Sequence, residues 1–81
     1  ASGTALDRAR ALFVAQAESI WEGGGEGLVM IRFENASDYA DAAASYNDWV
    51  QSFINIHAAG CNIVSYDFSN QQLLAVRLSF Y

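Results

Sequence analysis

Apolar positions recur along this chain with two different periods, and the switches between them divide it into five elements. From Thr4 to about Glu22 the spacing is three and four. Leu6, Ala9, Phe13, Ala17, Ile20 and Trp21 form one side; Arg8, Ala11, Ala15, Glu18 and Glu22 form the other. That spacing predicts a helix buried along one stripe. Thr4 followed by Asp7 fits a capping box, with Asp in place of the usual Glu. Gly23-Gly24-Gly25 then stops the helix and turns the chain. From Leu28 to Glu34 the period becomes two: Val29, Ile31 and Phe33 alternate with Met30, Arg32 and Glu34. This predicts a strand whose first set faces the helices.

The strongest stripe runs from Ser37 to Gly60. Tyr39, Ala42, Ala43, Tyr46, Val50, Phe53 and His57 share one side, and Asp41, Ser45, Asp48, Ser52 and Asn55 lie opposite. Ser37 or Asp38 is expected to cap this second helix, and Gly60 to end it in a left-handed turn. Asn62 to Phe68 reads as a second strand with Val64, Tyr66 and Phe68 on one side and Ser65 on the other. Gln72 to Tyr81 reads as a third, with Leu74, Val76, Leu78 and Phe80 facing in. Ser69-Asn70-Gln71 joins them as a hairpin turn.

Helix, strand, helix, strand, strand is an α+β order. A strand, a helix and a strand in succession imply a right-handed crossover between parallel strands. The hairpin makes the third strand antiparallel to the second. As the longest alternating run, the third strand belongs in the middle. The expectation is a ferredoxin-like two-layer sandwich over residues 1–81, a split β-α-β fold with sheet order 1-3-2 and both helices on one side. The other sheet face should carry Arg32, Glu34, Ser65, Asp67, Arg77 and Ser79. A full ferredoxin-like sheet has four strands, and three are available here. The first strand is then an edge, and Leu28-Val29-Met30-Ile31 carries no charge or proline to discourage pairing. Such an edge invites strand addition or two-fold dimerisation.

Composition narrows the partners. The 81 residues suffice for one domain, and 53% are hydrophobic, which excludes a disordered tail. Four Arg, no Lys and nine acidic residues give a net charge of -5. That argues against nucleic acids and anionic membranes, which require basic surface. It suits a protein partner, including one with a basic site. The lone Cys61 forms no internal disulfide. No signal-peptide pattern is visible, and the longest unbroken apolar run, Ala11 to Ala15, is far too short to span a bilayer. The chain opens Ala-Ser-Gly-Thr without Met, which leaves room for targeting or membrane segments in a longer protein.

No reactive cluster stands out. His57 and Cys61 are four apart, but Gly60 intervenes and a metal needs further ligands. A nucleophile–base pair would also lack an orienting group. Asp38, Asp41 and Asp48 could hold calcium or move protons, yet a helix start and a solvated face explain them more simply. The glycine triplet precedes a strand and lacks the Lys of a phosphate loop. Asn35-Ala36-Ser37 matches a glycosylation triplet and also reads as turn and cap. A ligand-binding or catalytic reading would need a pocket lined by convergent polar groups. The expectation is therefore a non-enzymatic chain with no metal and no cofactor. The aromatic load and the undefended edge point to protein contact through Leu28, Met30, Arg32, Trp49, Arg77 and Tyr81.

A family pattern adds to this. An Asp38-Tyr39-Ala40 helix entry leads through Trp49-Val50-Gln51-Ser52-Phe53 to Ala58-Ala59-Gly60-Cys61-Asn62-Ile63-Val64. The chain closes on Leu73-Leu74-Ala75-Val76-Arg77-Leu78-Ser79-Phe80-Tyr81. The run from Ser37 to Tyr81 resembles the C-terminal periplasmic domains of inner-membrane assembly-platform proteins from type II secretion and type IV pilus systems. The resemblance implies a permuted ferredoxin-like fold without catalysis, making homo- or heterodimer contacts in the periplasm on a single-pass membrane protein. Without that resemblance the expected compartment is the cytoplasm. Many such domains have a further strand between the two helices, where this chain has room for one. The rival expectation is a small acidic inhibitor or immunity-type protein that occupies a basic site on its partner.

Overall fold

The computed structural model describes residues 3–66 and 72–81, in the order α1 (Ala5–Glu22), β1 (Glu26–Arg32), α2 (Ala36–His57), β2 (Cys61–Tyr66) and β3 (Leu73–Phe80). Asp67, Phe68 and the expected turn at Ser69, Asn70 and Gln71 lie outside the described residues. The sheet order is β1-β3-β2, with both outer strands antiparallel to β3 and so parallel to each other. This is the expected three-stranded ferredoxin-like arrangement, with both helices on one side of the sheet.

The first helix starts as the spacing predicts. Asp7 N–H donates to Thr4 Oγ1 at 3.1 Å, and Thr4 N–H donates to Asp7 Oδ2 at 3.3 Å, completing a capping box. Gly24 and Gly25 have φ of 128° and 91°, which only glycine adopts without strain. Their turn is tied at both ends: Gly25 N–H donates to the Ile20 carbonyl, and Phe80 N–H donates to the Gly25 carbonyl.

The second helix differs from expectation at both ends. Asn35, not Ser37 or Asp38, is its cap, because β1 ends only three residues earlier and the Asn35 side chain accepts from Asp38 N–H at 2.8 Å. Gly60 does not end the helix. The helix stops at His57 and the chain runs on extended through Ala58. The N–H groups of Ala59 and Gly60 both donate to the Tyr81 carbonyl, at 2.8 and 3.0 Å, and Tyr81 N–H donates back to Gly60. The far end of β3 therefore captures the chain as it leaves the helix.

That capture also sets the phase of β2, which differs from the expected one. Gly60 pairs with Tyr81, so Ile63 falls opposite Leu78 and Val64 opposite Arg77. Cys61, Ile63 and Ser65 consequently point to the helix side, while Asn62, Val64 and Tyr66 point away. Both alternating sets of β2 contain apolar residues, so periodicity alone left the choice open.

The core lies between the layers. Ala9, Phe13 and Ala17 of α1 and Ala42, Val50 and Phe53 of α2 close on Val29, Ile31, Leu74, Val76 and Leu78 of the sheet. Small residues at positions 9, 17 and 42 leave room for the Phe13 ring, which is fully buried and meets Trp49 edge-on at 5.6 Å. Burying such a ring contributes about 1.5–3 kcal/mol. Trp21 and His57, expected on the buried stripes, lie past the end of the core. Both are exposed, with ring centroids 4.8 Å apart.

Candidate protein interface

The sheet face turned away from the helices is built in cross-strand rows. The register places Leu28, Arg77 and Val64 in one row, Met30, Ala75 and Tyr66 in the next, and Glu26, Ser79 and Asn62 in a third. Arg32 stands beside Leu73 at the end. Leu28, Met30, Val64 and Tyr66 are large apolar groups in contact with water. Ala75 is only 1% exposed although no helix covers it, because Met30 and Tyr66 flank it in register. Arg77 Nε donates to the Tyr66 hydroxyl at 3.2 Å, and this bond raises the guanidinium pKa further above its ordinary value. The Tyr81 ring lies over Gly60, where a Cβ would stand 2.7 Å from it.

Five of the six residues expected to bind a partner therefore share this face: Leu28, Met30, Arg32, Arg77 and Tyr81. Trp49 does not. It faces α1 across the helix layer and packs on Phe13. Of the polar residues expected here, Arg32, Arg77 and Ser79 have that alternation; Ser65 lies on the helix side, and Glu34 falls beyond the end of β1. Val64 and Tyr66 join the face unexpectedly, through the phase of β2.

The two edges of the sheet differ. Just outside the two ends of β1, Gly25 accepts from Phe80 N–H and Phe33 N–H donates to the Gln72 carbonyl, so by antiparallel alternation the backbone groups of Leu28 and Met30 point outward. The first-strand edge, expected to be undefended, is occupied at its middle. Gln16 of α1 reaches down and acts as a one-residue strand: Met30 N–H donates to Gln16 Oε1 at 3.0 Å, and Gln16 Nε2 donates to the Met30 carbonyl at 3.1 Å. No pattern in the sequence marks Gln16, a polar helix residue fourteen positions away. On β2 the Gly60–Tyr81 pair turns the backbone groups of Asn62 and Val64 toward β3 and those of Cys61, Ile63 and Ser65 outward. Among the described residues no side chain bonds to these outward groups.

The residues weighed for chemistry are dispersed. His57 packs against both Trp21 and Phe53 with its ring tilted to each, at centroid distances of 4.8 and 4.5 Å. Cys61 Sγ donates to the Asn62 carbonyl at 3.4 Å. Burial raises its thiol pKa, partly offset by the Ser79 backbone, so the thiol stays protonated and weakly nucleophilic at neutral pH. Asp38 accepts from the Asn35 amide at 3.1 Å as part of the helix cap. No group of three or more His, Cys, Asp or Glu among the described residues is placed to hold a metal ion. An open groove of about 300 Å³ between α1 and α2 is lined by Arg10, Val14, Glu18, Trp49, Phe53 and His57, among others. No helix among the described residues is long and apolar enough to cross a membrane. Comparison with known protein families, curated proteins and solved structures finds no match for this chain.

Proposed function

We propose that this chain is a non-catalytic protein-association domain that works through its sheet, as the resemblance to secretion- and pilus-platform domains implies. The observation that carries the reading is the helix-free sheet face, with Leu28, Met30, Val64 and Tyr66 exposed around a buried Ala75. A monomer that left this surface in water would gain nothing from it, whereas apolar contact stabilises a complex in proportion to the area covered. The test is sedimentation equilibrium over a concentration series. Dimerisation is expected, with a dissociation constant that changes little between about 0.1 M and about 1 M salt, where the Debye length falls from roughly 10 to roughly 3 Å. A strict monomer at every concentration overturns self-association.

The acidic-inhibitor reading has one observation in its favour. Glu18, Glu22, Asp38, Asp41 and Asp48 all lie on the helices, while the open sheet face sets Glu26 against Arg32 and Arg77. It predicts a monomer that binds a basic partner with steep salt dependence, lost in Asp41→Asn/Asp48→Asn.

A further inference from the structure

The two sheet edges differ in how their outward backbone groups are covered. β1 has its central outward pair of backbone groups bonded by Gln16. β2 presents Cys61, Ile63 and Ser65 outward with no such cover among the described residues, and its sequence, Cys-Asn-Ile-Val-Ser-Tyr, has no charge and no proline. Natural edges are usually defended by those devices. The surrounding chain is also neutral: from Trp49 to Tyr66 there is no Asp, Glu, Lys or Arg. In a molecule of net charge -5, this is where two copies approach with least repulsion.

We propose that β2 pairs antiparallel with β2 of a second copy about a two-fold axis through Ile63, joining the sheets into one of six strands. The proposal rests on the association reading above and names its partner and contact. In an antiparallel copy centred on Ile63, all three outward residues of each strand face outward residues of the other. Ile63 then faces the partner's Ile63, and Cys61 faces the partner's Ser65. Each is a closely bonded antiparallel pair, giving about six hydrogen bonds, against about four for registers centred on Asn62 or Val64. On the open face, Tyr66 falls opposite the partner's Gly60, over which the partner's Tyr81 ring lies. The exposed Val64, Tyr66 and Tyr81 thus meet at the seam, where apolar contact adds to the backbone bonds.

The test uses the full chain with Ile63→Cys in a Cys61→Ser background. Opposed Cα atoms in such a pair are about 5.5 Å apart, within the span of a disulfide. Mild oxidation should convert most of the chain to a crosslinked dimer, while Leu28→Cys in the same background stays monomeric under denaturing electrophoresis. Two measurements do not depend on that bond. Amide exchange at Cys61, Ile63 and Ser65 should slow as concentration rises, with Leu28 unchanged. Ser65→Pro, which removes an N–H with no partner among the described residues, should leave the melting curve nearly intact at a concentration where both chains are monomeric, and raise the dimer dissociation constant at least about tenfold. Dimerisation without crosslinking at position 63 and without exchange protection overturns the β2 contact and leaves the association reading standing. A strict monomer overturns both.

Discussion

Two glycines show how much a single missing Cβ decides here. A Cβ on Gly27 would stand 2.7 Å from Ile20 Cγ1, where α1 crosses β1 inside the packed layer. Gly27→Ala is expected to destabilise by about 1–3 kcal/mol, the range for overpacking a site with little room to give. A Cβ on Gly60 would come equally close to the Tyr81 ring, also at 2.7 Å. Tyr81 is 69% exposed and its ring can swing away, so Gly60→Ala should change stability by less than about 0.5 kcal/mol. Urea midpoints of the two variants test the contrast, and a large loss in Gly60→Ala would show that the Tyr81 ring is fixed. Both glycines are visible in the sequence, but the reason for each is supplied by a residue of another segment, Ile20 of α1 for Gly27 and Tyr81 for Gly60.

At the level of elements, α1 does two jobs. Its apolar stripe buries Ala9, Phe13 and Ala17, and Gln16 beside that stripe bonds the β1 edge. The stripe is legible from spacing; the edge contact is not, because Gln16 has the same character as any half-buried helix residue. Each such bond contributes about 0.5–1.5 kcal/mol net, so Gln16→Ala should lower stability by roughly 1–2 kcal/mol. It should also accelerate amide exchange at Met30 and open a second association edge. Sedimentation of Gln16→Ala would then show species larger than the proposed dimer. Unchanged Met30 exchange would mean that Gln16 does not hold that edge in solution. The helix caps divide the same way. The Thr4–Asp7 box follows from local sequence, while the choice of Asn35 over Ser37 depends on where β1 releases the chain.

The whole molecule has a helix layer that carries most of its acidic side chains and a sheet layer that, among the described residues, leaves one face and one edge uncovered. Its single core depends on Phe13, which touches both helices' interior and lies at 1% exposure. Phe13→Ala is expected to cost about 3–5 kcal/mol, a large part of the roughly 4–12 kcal/mol available to a domain this size. Circular dichroism melting should show a transition lowered by tens of degrees or absent at room temperature. A small shift would mean that the layers can close over the space left behind.

The sequence by itself determined the element types and their order, the inward residues along the middle of both helices and along β1 and β3, the sheet order, and the placement of five of the six candidate contact residues on the open sheet face. All of these follow from local periodicity and from the handedness of short connections, which act within a few residues. Tertiary structure alone decided the phase of β2, the end of α2, the displacement of Trp49 into the helix layer and the defence of one edge but not the other. Each depends on a pairing between distant segments: Gly60 with Tyr81, Phe13 with Trp49, Gln16 with Met30. A strand with apolar residues on both sides, or a glutamine with many possible partners, has no local preference to reveal, so those choices are made only when the layers close.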